Sequence, residues 1–230
     1  MEAKADRLEI YGDIGESWWG DSVKLTDVAK ALKESNSDTL DVHINSYGGD
    51  AYEGIAIFNA LKQSGKTVNV YVDGIAASAA SMIAMAGDTI NMPKNTQLMI
   101  HNAATYMYGN HLEMRKEADS LEKLSGQYRD TYLDHFVGSA DELQSMMDDE
   151  TELTAQEAVE LGLADNLVDY AKPEEPEAEP DDPDASIKER VLAKYHRAAQ
   201  LQSAAEPEPE PIDEPEPETP LASKLLNLMK

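Results

Sequence analysis

The chain has 230 residues, a formal net charge of −26 and no cysteine. The lack of cysteine excludes disulfides, thiolate metal sites and thiol catalysis. So acidic a chain repels nucleic-acid phosphates and anionic membranes, and no apolar run is long enough to span a bilayer. We therefore predict an intracellular protein that binds neither nucleic acid nor membrane.

The first 170 residues alternate the patterns of strands and helices. Strands are predicted at Leu8–Tyr11, Leu40–Ile44, Thr67–Val72, Thr89–Met92 and Gln97–Ile100. Helices are predicted at Ser22–Glu34, Ala51–Ser64, from Ala79 onward, Leu112–Val137, Asp141–Asp148 and Thr154–Leu161. Repeated strand–helix units with apolar strands predict an α/β fold with a mostly parallel sheet.

The remaining residues, 171–230, have a different composition. Ten of the eleven prolines follow residue 172, and residues 173–184 and 206–220 are Pro/Glu/Asp repeats. Such segments cannot bury enough apolar surface to offset the entropy of ordering, so we predict a disordered acidic tail after the folded domain of residues 1–170.

Two short parts of this tail are less polar. Residues 185–205 place apolar side chains at helical spacing, which predicts a short amphipathic helix. Residues 221–230 are an apolar end that is typical of a docking peptide and equally of a frayed terminus.

Three polar residues at the ends of predicted elements carry the groups of a hydrolytic triad. Ser78 follows a strand and opens a small-residue helix, His101 ends a strand, and Asp165 follows a helix. An imidazole can take the proton of a serine hydroxyl, and a carboxylate can orient that imidazole. Taken singly, each has a common structural explanation: a packing serine, an exposed histidine and a solvated aspartate.

Four segments in order carry a family resemblance. They are Ile44–Leu61 with its Gly-Gly-Asp, Gly74–Ser78 (Gly-Ile-Ala-Ala-Ser), Leu98–His101 (Leu-Met-Ile-His) and Ala158–Asp165. Together they resemble the ClpP family of serine peptidases over about residues 7–168. Within that family they are most similar to phage-encoded ClpP-like head maturation proteases.

The resemblance implies a role for individual residues. Ser78 matches the nucleophile, His101 the general base and Asp165 the third triad member. The backbone N–H groups of Gly49 and Ala79 match the oxyanion hole. Further residues are expected to contact substrate, namely Gly48 and Asn102. Ser81 matches no catalytic position and is interpreted as a packing residue inside the helix.

The family also implies a fold, an assembly and a setting. We expect a crotonase-like spiral of ββα units, with the predicted helix at Leu112–Val137 as a handle through which two homo-oligomeric rings stack. No metal or cofactor is implied. The expected substrates are scaffold and capsid proteins of a phage, cleaved in the host cytoplasm inside the assembling head, together with the chain's own tail.

Some residues depart from the family pattern. Tyr47 stands where proline is common before Gly-Gly, and Ala79-Ala80 stands where Met-Gly is common. The first strand starts at Leu8, which leaves no N-terminal extension, so an ATP-driven unfoldase is not expected as a partner. Two alternatives remain: a non-catalytic ring or scaffold component, and a crotonase-type acyl-CoA hydratase or isomerase.

Overall fold

A mixed sheet forms the centre of the domain in the computed structural model, which describes residues 6–17 and 20–169. Its strands are β1 (Asp6–Ile14), β2 (Ser22–Val23), β3 (Thr39–Gly49), β4 (Thr67–Ala77), β5 (Thr89–Pro93), β6 (Gln97–Met99), β7 (Glu152–Thr154) and β8 (Asn166–Val168). The strands run in the order β2-β1-β3-β4-β5-β8, with all of these neighbours parallel. The prediction of an α/β fold with a mostly parallel sheet is confirmed.

Six helices connect the strands within the described part of the chain. They are α1 (Leu25–Glu34), α2 (Ala51–Lys62), α3 (Ala79–Ala84), α4 (His111–Leu133), α5 (Ala140–Asp148) and α6 (Ala155–Glu160). Four of their N-termini have side-chain caps, in which Asp50, Asn110, Ser139 and Thr154 accept backbone N–H bonds. Such caps replace the acceptors that the first turn of a helix lacks, and they fix where each helix begins.

The sheet buries one face. Inward side chains alternate with half-exposed polar ones along the strands, as Leu8 and Ile10 do with Arg7 and Glu9 on β1. Helices cover only the apolar face, so the strands alternate instead of being apolar throughout. The core is formed by aliphatic residues of β1, β3, β4 and β5 together with the small residues of α3.

The end of β4 separates the sheet into two branches. The first half of β4 pairs with β5, at Asn69 to Tyr71, whereas its last residues, Ile75 to Ala77, pair with β6. Strand β6 then pairs antiparallel with β7. The ends of β3, β4 and β6 therefore lie close together, and the chain leaves each of them at the same edge.

Most predicted elements are present, with different boundaries. The predicted helix at Ser22 starts three residues later, because Ser22 and Val23 pair with the end of β1. The long charged helix spans His111–Leu133, and its first half is exposed while Leu124, Ser125, Tyr128 and Tyr132 are buried. Its role as a handle stays a prediction.

Strands β2, β7 and β8 were not predicted, because segments of two or three residues give no clear alternation of apolar and polar side chains. The predicted tail, with its helix at 185–205 and its apolar end at 221–230, lies outside the described residues. In the part that is described, no helix is both long and apolar enough to cross a membrane.

Candidate active site

Ser78 lies at a sharp turn between β4 and α3. Its backbone has φ 55° and ψ −122°, a conformation that side-chain-bearing residues rarely adopt. The turn is held from both sides, because Ser78 N donates to the Met99 carbonyl at 3.1 Å and the Ser78 carbonyl accepts from the N–H groups of Ser81 and Met82. Strain of this kind persists only where surrounding bonds determine the backbone, and it is common at reactive residues.

His101 lies directly against this serine. The two side chains follow neighbouring strands, because Ala77 at the end of β4 pairs with Met99 at the end of β6. The His101 Nε2 is 2.7 Å from Ser78 Oγ. The hydroxyl can donate to Nε2 only when that nitrogen carries no proton, and the neutral tautomer of this kind has its proton on Nδ1. The serine is therefore paired with a base in the geometry that nucleophilic catalysis needs.

Gly48 packs against the back of the nucleophile. A Cβ on Gly48 would lie 2.7 Å from Ser78 Cβ, 2.8 Å from the Ala77 carbonyl oxygen and 3.0 Å from Ala79 N. Its φ is +99°, so the position excludes other residues both by space and by backbone conformation. Gly48 N donates to the buried Ser46 hydroxyl. Gly48 thus supports the turn, and it is not among the residues that line the cavity.

A cavity of about 240 Å³ opens in front of the serine. Gly49, Ser78 and His101 line it together, with Tyr52 and Tyr128 as the large side chains of its wall. Ala79 is the first residue of α3, so its N–H has no acceptor within the helix. The cavity brings together three of the predicted groups, namely Gly49, Ser78 and His101, and Ala79 follows Ser78 directly in the chain.

Asp165 is not brought to this pair. Its carboxylate accepts a bond from Ile90 N at 2.7 Å, and its own N–H donates to the Ile90 carbonyl at 2.9 Å. Ile90 pairs with Val70, eight residues before Ser78, which corresponds to about 26 Å along a straight strand. The expectation that Asp165 completes the triad is therefore not met. Its carboxylate instead joins β5 to the segment that leads into β8.

Asn102 also has a different position from the one expected. Its side-chain amide donates to Asp148 Oδ1 at 2.7 Å, and its oxygen accepts from Gln144 at 3.2 Å. These bonds hold the pKa of Asp148 below its usual value, with the Asn102 bond as the larger cause. Asn102 is absent from the wall of the active-site cavity and lines a separate one beside α5. It fixes the segment after His101 to that helix.

The carboxylate nearest His101 in register is Glu150. Strands β6 and β7 pair Met99 with Glu152, and Ile100 N continues the ladder by donating to Thr151 O at 3.1 Å. The next residues beyond this bond are His101 on one segment and Glu150 on the other, and Glu150 is an exposed turn residue just past the end of the pairing. Glu150 also has φ 51°, and Ser78 is the only other non-glycine residue with positive φ among those described.

The sequence alone did not identify Glu150. It is the last of three consecutive acids, after Asp148 and Asp149. The strand that follows, β7, has only one apolar residue. Which acid faces His101 depends on the pairing register, which composition and spacing do not reveal. In the described residues, no group of three or more potential ligands could hold a metal ion.

Comparisons with known proteins found related sequences and a similar fold. The chain is 27% identical over 173 residues to an ATP-dependent Clp protease proteolytic subunit of Deinococcus radiodurans. The aligned region covers 73% of this chain and 82% of that protein. It also resembles the solved structure of an asparagine-to-aspartate mutant of ClpP1 from Listeria monocytogenes. That match has a TM-score of 0.62 and 25% identity, and covers 72% of this chain and 92% of that one.

The family model described as Clp protease matches residues 22–171, which is well over half of the chain. The matched region contains β3, the turn at Ser78, and His101. On this match, and on a fold and a serine–histidine pair that agree with it, the chain belongs to the Clp protease family.

Proposed function

We propose that the protein is a serine endopeptidase in which Ser78 is the nucleophile and His101 the general base. The observation that carries this proposal is the 2.7 Å contact between Ser78 Oγ and His101 Nε2, at a serine with positive φ beside a cavity. A buried packing serine would need neither the strained turn nor the base. Both are the requirements of an activated hydroxyl.

The first chemical step forms an acyl-enzyme. His101 Nε2 takes the hydroxyl proton as Ser78 Oγ attacks the carbonyl carbon of a peptide bond, and the tetrahedral intermediate carries the negative charge on the former carbonyl oxygen. When the intermediate collapses, the C–N bond breaks and His101 returns the proton to the leaving amine. Water then attacks the ester by the same steps, which releases the acid and regenerates Ser78.

Backbone N–H groups of Gly49 and Ala79 are proposed to stabilise the oxyanion. Gly49 shares the cavity with Ser78, and Ala79 N has no acceptor within α3. Preorganised donors of this kind are typically worth about 10²–10³ in kcat each. Because the donors belong to the backbone, the departure of Ala79 from the family's common residue leaves the role intact.

We assign the orienting carboxylate to Glu150. The required tautomer of His101 has a proton on Nδ1, and a carboxylate that accepts it stabilises the imidazolium formed during attack. The β6–β7 register supports Glu150 for this role, whereas the bonds of Asp165 to Ile90 engage that side chain elsewhere. The proposed triad is Ser78, His101 and Glu150.

The proposed biological role is maturation of a phage head, by cleavage of scaffold and capsid proteins. It is supported by the Gly-Gly-Asp-Ala-Tyr-Glu-Gly-Ile-Ala-Ile sequence from Gly48 to Ile57 and by the acidic, proline-rich residues 171–230. The proposal includes stacked homo-oligomeric rings, activity without an ATP-driven unfoldase, self-cleavage of the tail and a location in the host cytoplasm and the assembling head.

The peptidase assignment is tested by labelling and by turnover. A fluorophosphonate probe should label the wild-type protein once per chain and fail to label Ser78→Ala, and an unfolded protein substrate should be cut without ATP. His101→Ala should lose both activities, whereas the matched control His43→Ala, on the polar face of the sheet, should keep them. Cleavage by Ser78→Ala at the wild-type rate would contradict the assignment.

The head-maturation role needs a separate test. The wild-type protein and Ser78→Ala should each be incubated with phage scaffold and major capsid proteins, and the products identified by mass spectrometry. Cleavage by the wild type alone supports the role. If the enzyme cuts an unfolded substrate but neither phage protein, the role is wrong while the peptidase assignment stands. Native mass spectrometry of the same samples reports the ring size.

A further inference from the structure

A chain of two buried hydroxyl groups ends on the backbone of the nucleophile. Ser81 Oγ donates to the Ser78 carbonyl oxygen at 2.7 Å and lies 2.8 Å from the Tyr132 hydroxyl. Ser81 and Tyr132 are both fully buried. The connection links α3 to a residue 51 positions later, on the last turns of α4.

Each hydroxyl has one proton, and this determines which group donates in each of the two hydrogen bonds. A serine hydroxyl has a single proton, and that of Ser81 is used in the bond to the Ser78 carbonyl. The Tyr132 hydroxyl must therefore donate to Ser81 Oγ. Each bond polarises the next, so the two hydroxyls act on the carbonyl as a unit. Burial raises the pKa of Tyr132 well above its usual value, which keeps the phenol a donor at all ordinary pH.

The Ser78 carbonyl that accepts the Ser81 hydroxyl belongs to the same peptide unit as the N–H of Ala79. A peptide unit is planar and trans, so its C=O and the N–H of the next residue point in opposite directions. The Ser78 carbonyl is held by the Ser81 hydroxyl together with the N–H groups of Ser81 and Met82, and Ala79 N–H therefore points away from α3. Ala79 N–H is one of the two proposed oxyanion donors.

The Ser81 hydroxyl differs from another buried hydroxyl of the domain, that of Thr96, in its partners. Thr96 makes the same local type of bond, from its hydroxyl to the Pro93 carbonyl three residues earlier, and it is also buried. Among the described residues the Thr96 hydroxyl bonds no second side chain, and its acceptor is the carbonyl of Pro93 at the end of β5. Ser81 differs in both respects, because Tyr132 fixes its rotamer and Ser78 is its acceptor.

We propose that Ser81 and Tyr132 are positioning residues that orient the Ser78–Ala79 peptide unit, so that Ala79 N–H points at the oxyanion of the reaction. The proposal rests on the proposed peptidase function. It assigns a catalytic consequence to a serine that the sequence pattern suggests only as packing. Neither side chain touches substrate, and both act through the backbone of the nucleophile.

The test compares Ser81→Ala, Tyr132→Phe and the double variant with the matched control Thr96→Val. Active sites are first titrated with a fluorophosphonate, and kcat per labelled site and KM are then measured with a fluorogenic peptide. Loss of one neutral hydrogen bond that acts in the transition state corresponds to about tenfold in rate. We expect that decrease in kcat per site for Ser81→Ala, about threefold for Tyr132→Phe, and an unchanged KM. Thr96→Val should retain the wild-type rate per site.

The double variant identifies the mechanism. Because Tyr132 acts through Ser81, Ser81→Ala/Tyr132→Phe should be no slower than Ser81→Ala alone. Wild-type kcat per site in both single variants, or an equal effect of Tyr132→Phe in either background, would overturn the proposal. If Ser81→Ala does not fold, Tyr132→Phe keeps the ring packing and decides the question. Failure of the peptidase proposal has another signature, namely activity that survives in Ser78→Ala.

Discussion

Replacement of Gly48 by alanine tests the geometry behind the nucleophile. The added Cβ would lie 2.7 Å from Ser78 Cβ, whereas ordinary contacts between carbon atoms are about 3.5–4.0 Å. One of the two atoms must therefore move by about 1 Å. Ala77 O and Ala79 N, at 2.8 Å and 3.0 Å, leave little room on the other sides. The displacement is directed at the proposed nucleophile and at one oxyanion donor.

The expected losses can be separated into strain and misplacement. Alanine at φ +99° costs roughly 1–2 kcal/mol of stability, and overpacking adds about 1–3 kcal/mol. A 1 Å misplacement of reacting groups can lower the rate by about 10²-fold. We therefore expect Gly48→Ala to be less stable by about 2–5 kcal/mol and to lose at least about 10²-fold in kcat/KM.

Gly65→Ala is the matched control. Gly65 also has positive φ, +71°, but a Cβ there would meet no atom within 4 Å. It should lose only the strain energy, roughly 1–2 kcal/mol, and keep wild-type kcat/KM. Stability is measured by urea unfolding and activity with a fluorogenic peptide on titrated sites. Equal activity in Gly48→Ala and Gly65→Ala would refute the argument that the space at Gly48 is needed by Ser78.

The other predictions concern the two candidate acids and the dependence of stability on pH. Glu150→Gln should lower kcat by at least about tenfold with little change in the free energy of unfolding. Asp165→Ala should keep kcat per site and lower the free energy of unfolding by about 1–3 kcal/mol, because Ile90 N loses its acceptor. The reverse result would restore Asp165 to the triad. Helix-capping bonds from Ser139 and Thr154 lower the pKa values of Glu142 and Glu157 below those of free carboxyls. The two carboxylates therefore stabilise the fold above about pH 4.5, and this stabilisation is lost as the pH falls through the lowered pKa values. The thermal midpoint should drop below that pH, and less steeply in the variant Glu142→Gln/Glu157→Gln. Burial raises the pKa values of Tyr128 and Tyr132, so stability should fall as the pH rises above 10, where the unfolded phenols ionise, and Tyr132→Phe should weaken that fall.

The sequence supported the sheet and the tight turn at Ser78 because both depend on local signals. Strand–helix alternation predicts a parallel sheet, and the glycine and small residues around Ser78 predict a tight turn that leaves space for substrate. The closeness of Ser78 and His101 follows once β4 and β6 are neighbours. That pairing connects residues more than twenty positions apart, and only the family resemblance anticipated it.

The proposed third acid, Glu150, could not be obtained in this way. Asp165 sits in a motif of the right type, but its location depends on β5 and β8, and a three-residue strand gives no periodic signal. Glu150 becomes visible only when the register of β6 and β7 is known. The role of Asn102 was misjudged for a related reason, since its partners on α5 lie more than forty residues away. Site residues defined by long-range pairing require coordinates.

Helix α4 has a mechanical consequence for the enzyme. Its 23 residues extend for about 35 Å, yet its buried contacts are confined to the C-terminal half, where Tyr128 bonds the Ala51 carbonyl and Tyr132 bonds Ser81. The exposed half therefore projects for about 20 Å from the buried half, which lies beside Ser78. The proposed positioning role of Tyr132 therefore connects the buried end of this helix to Ser78 through Ser81.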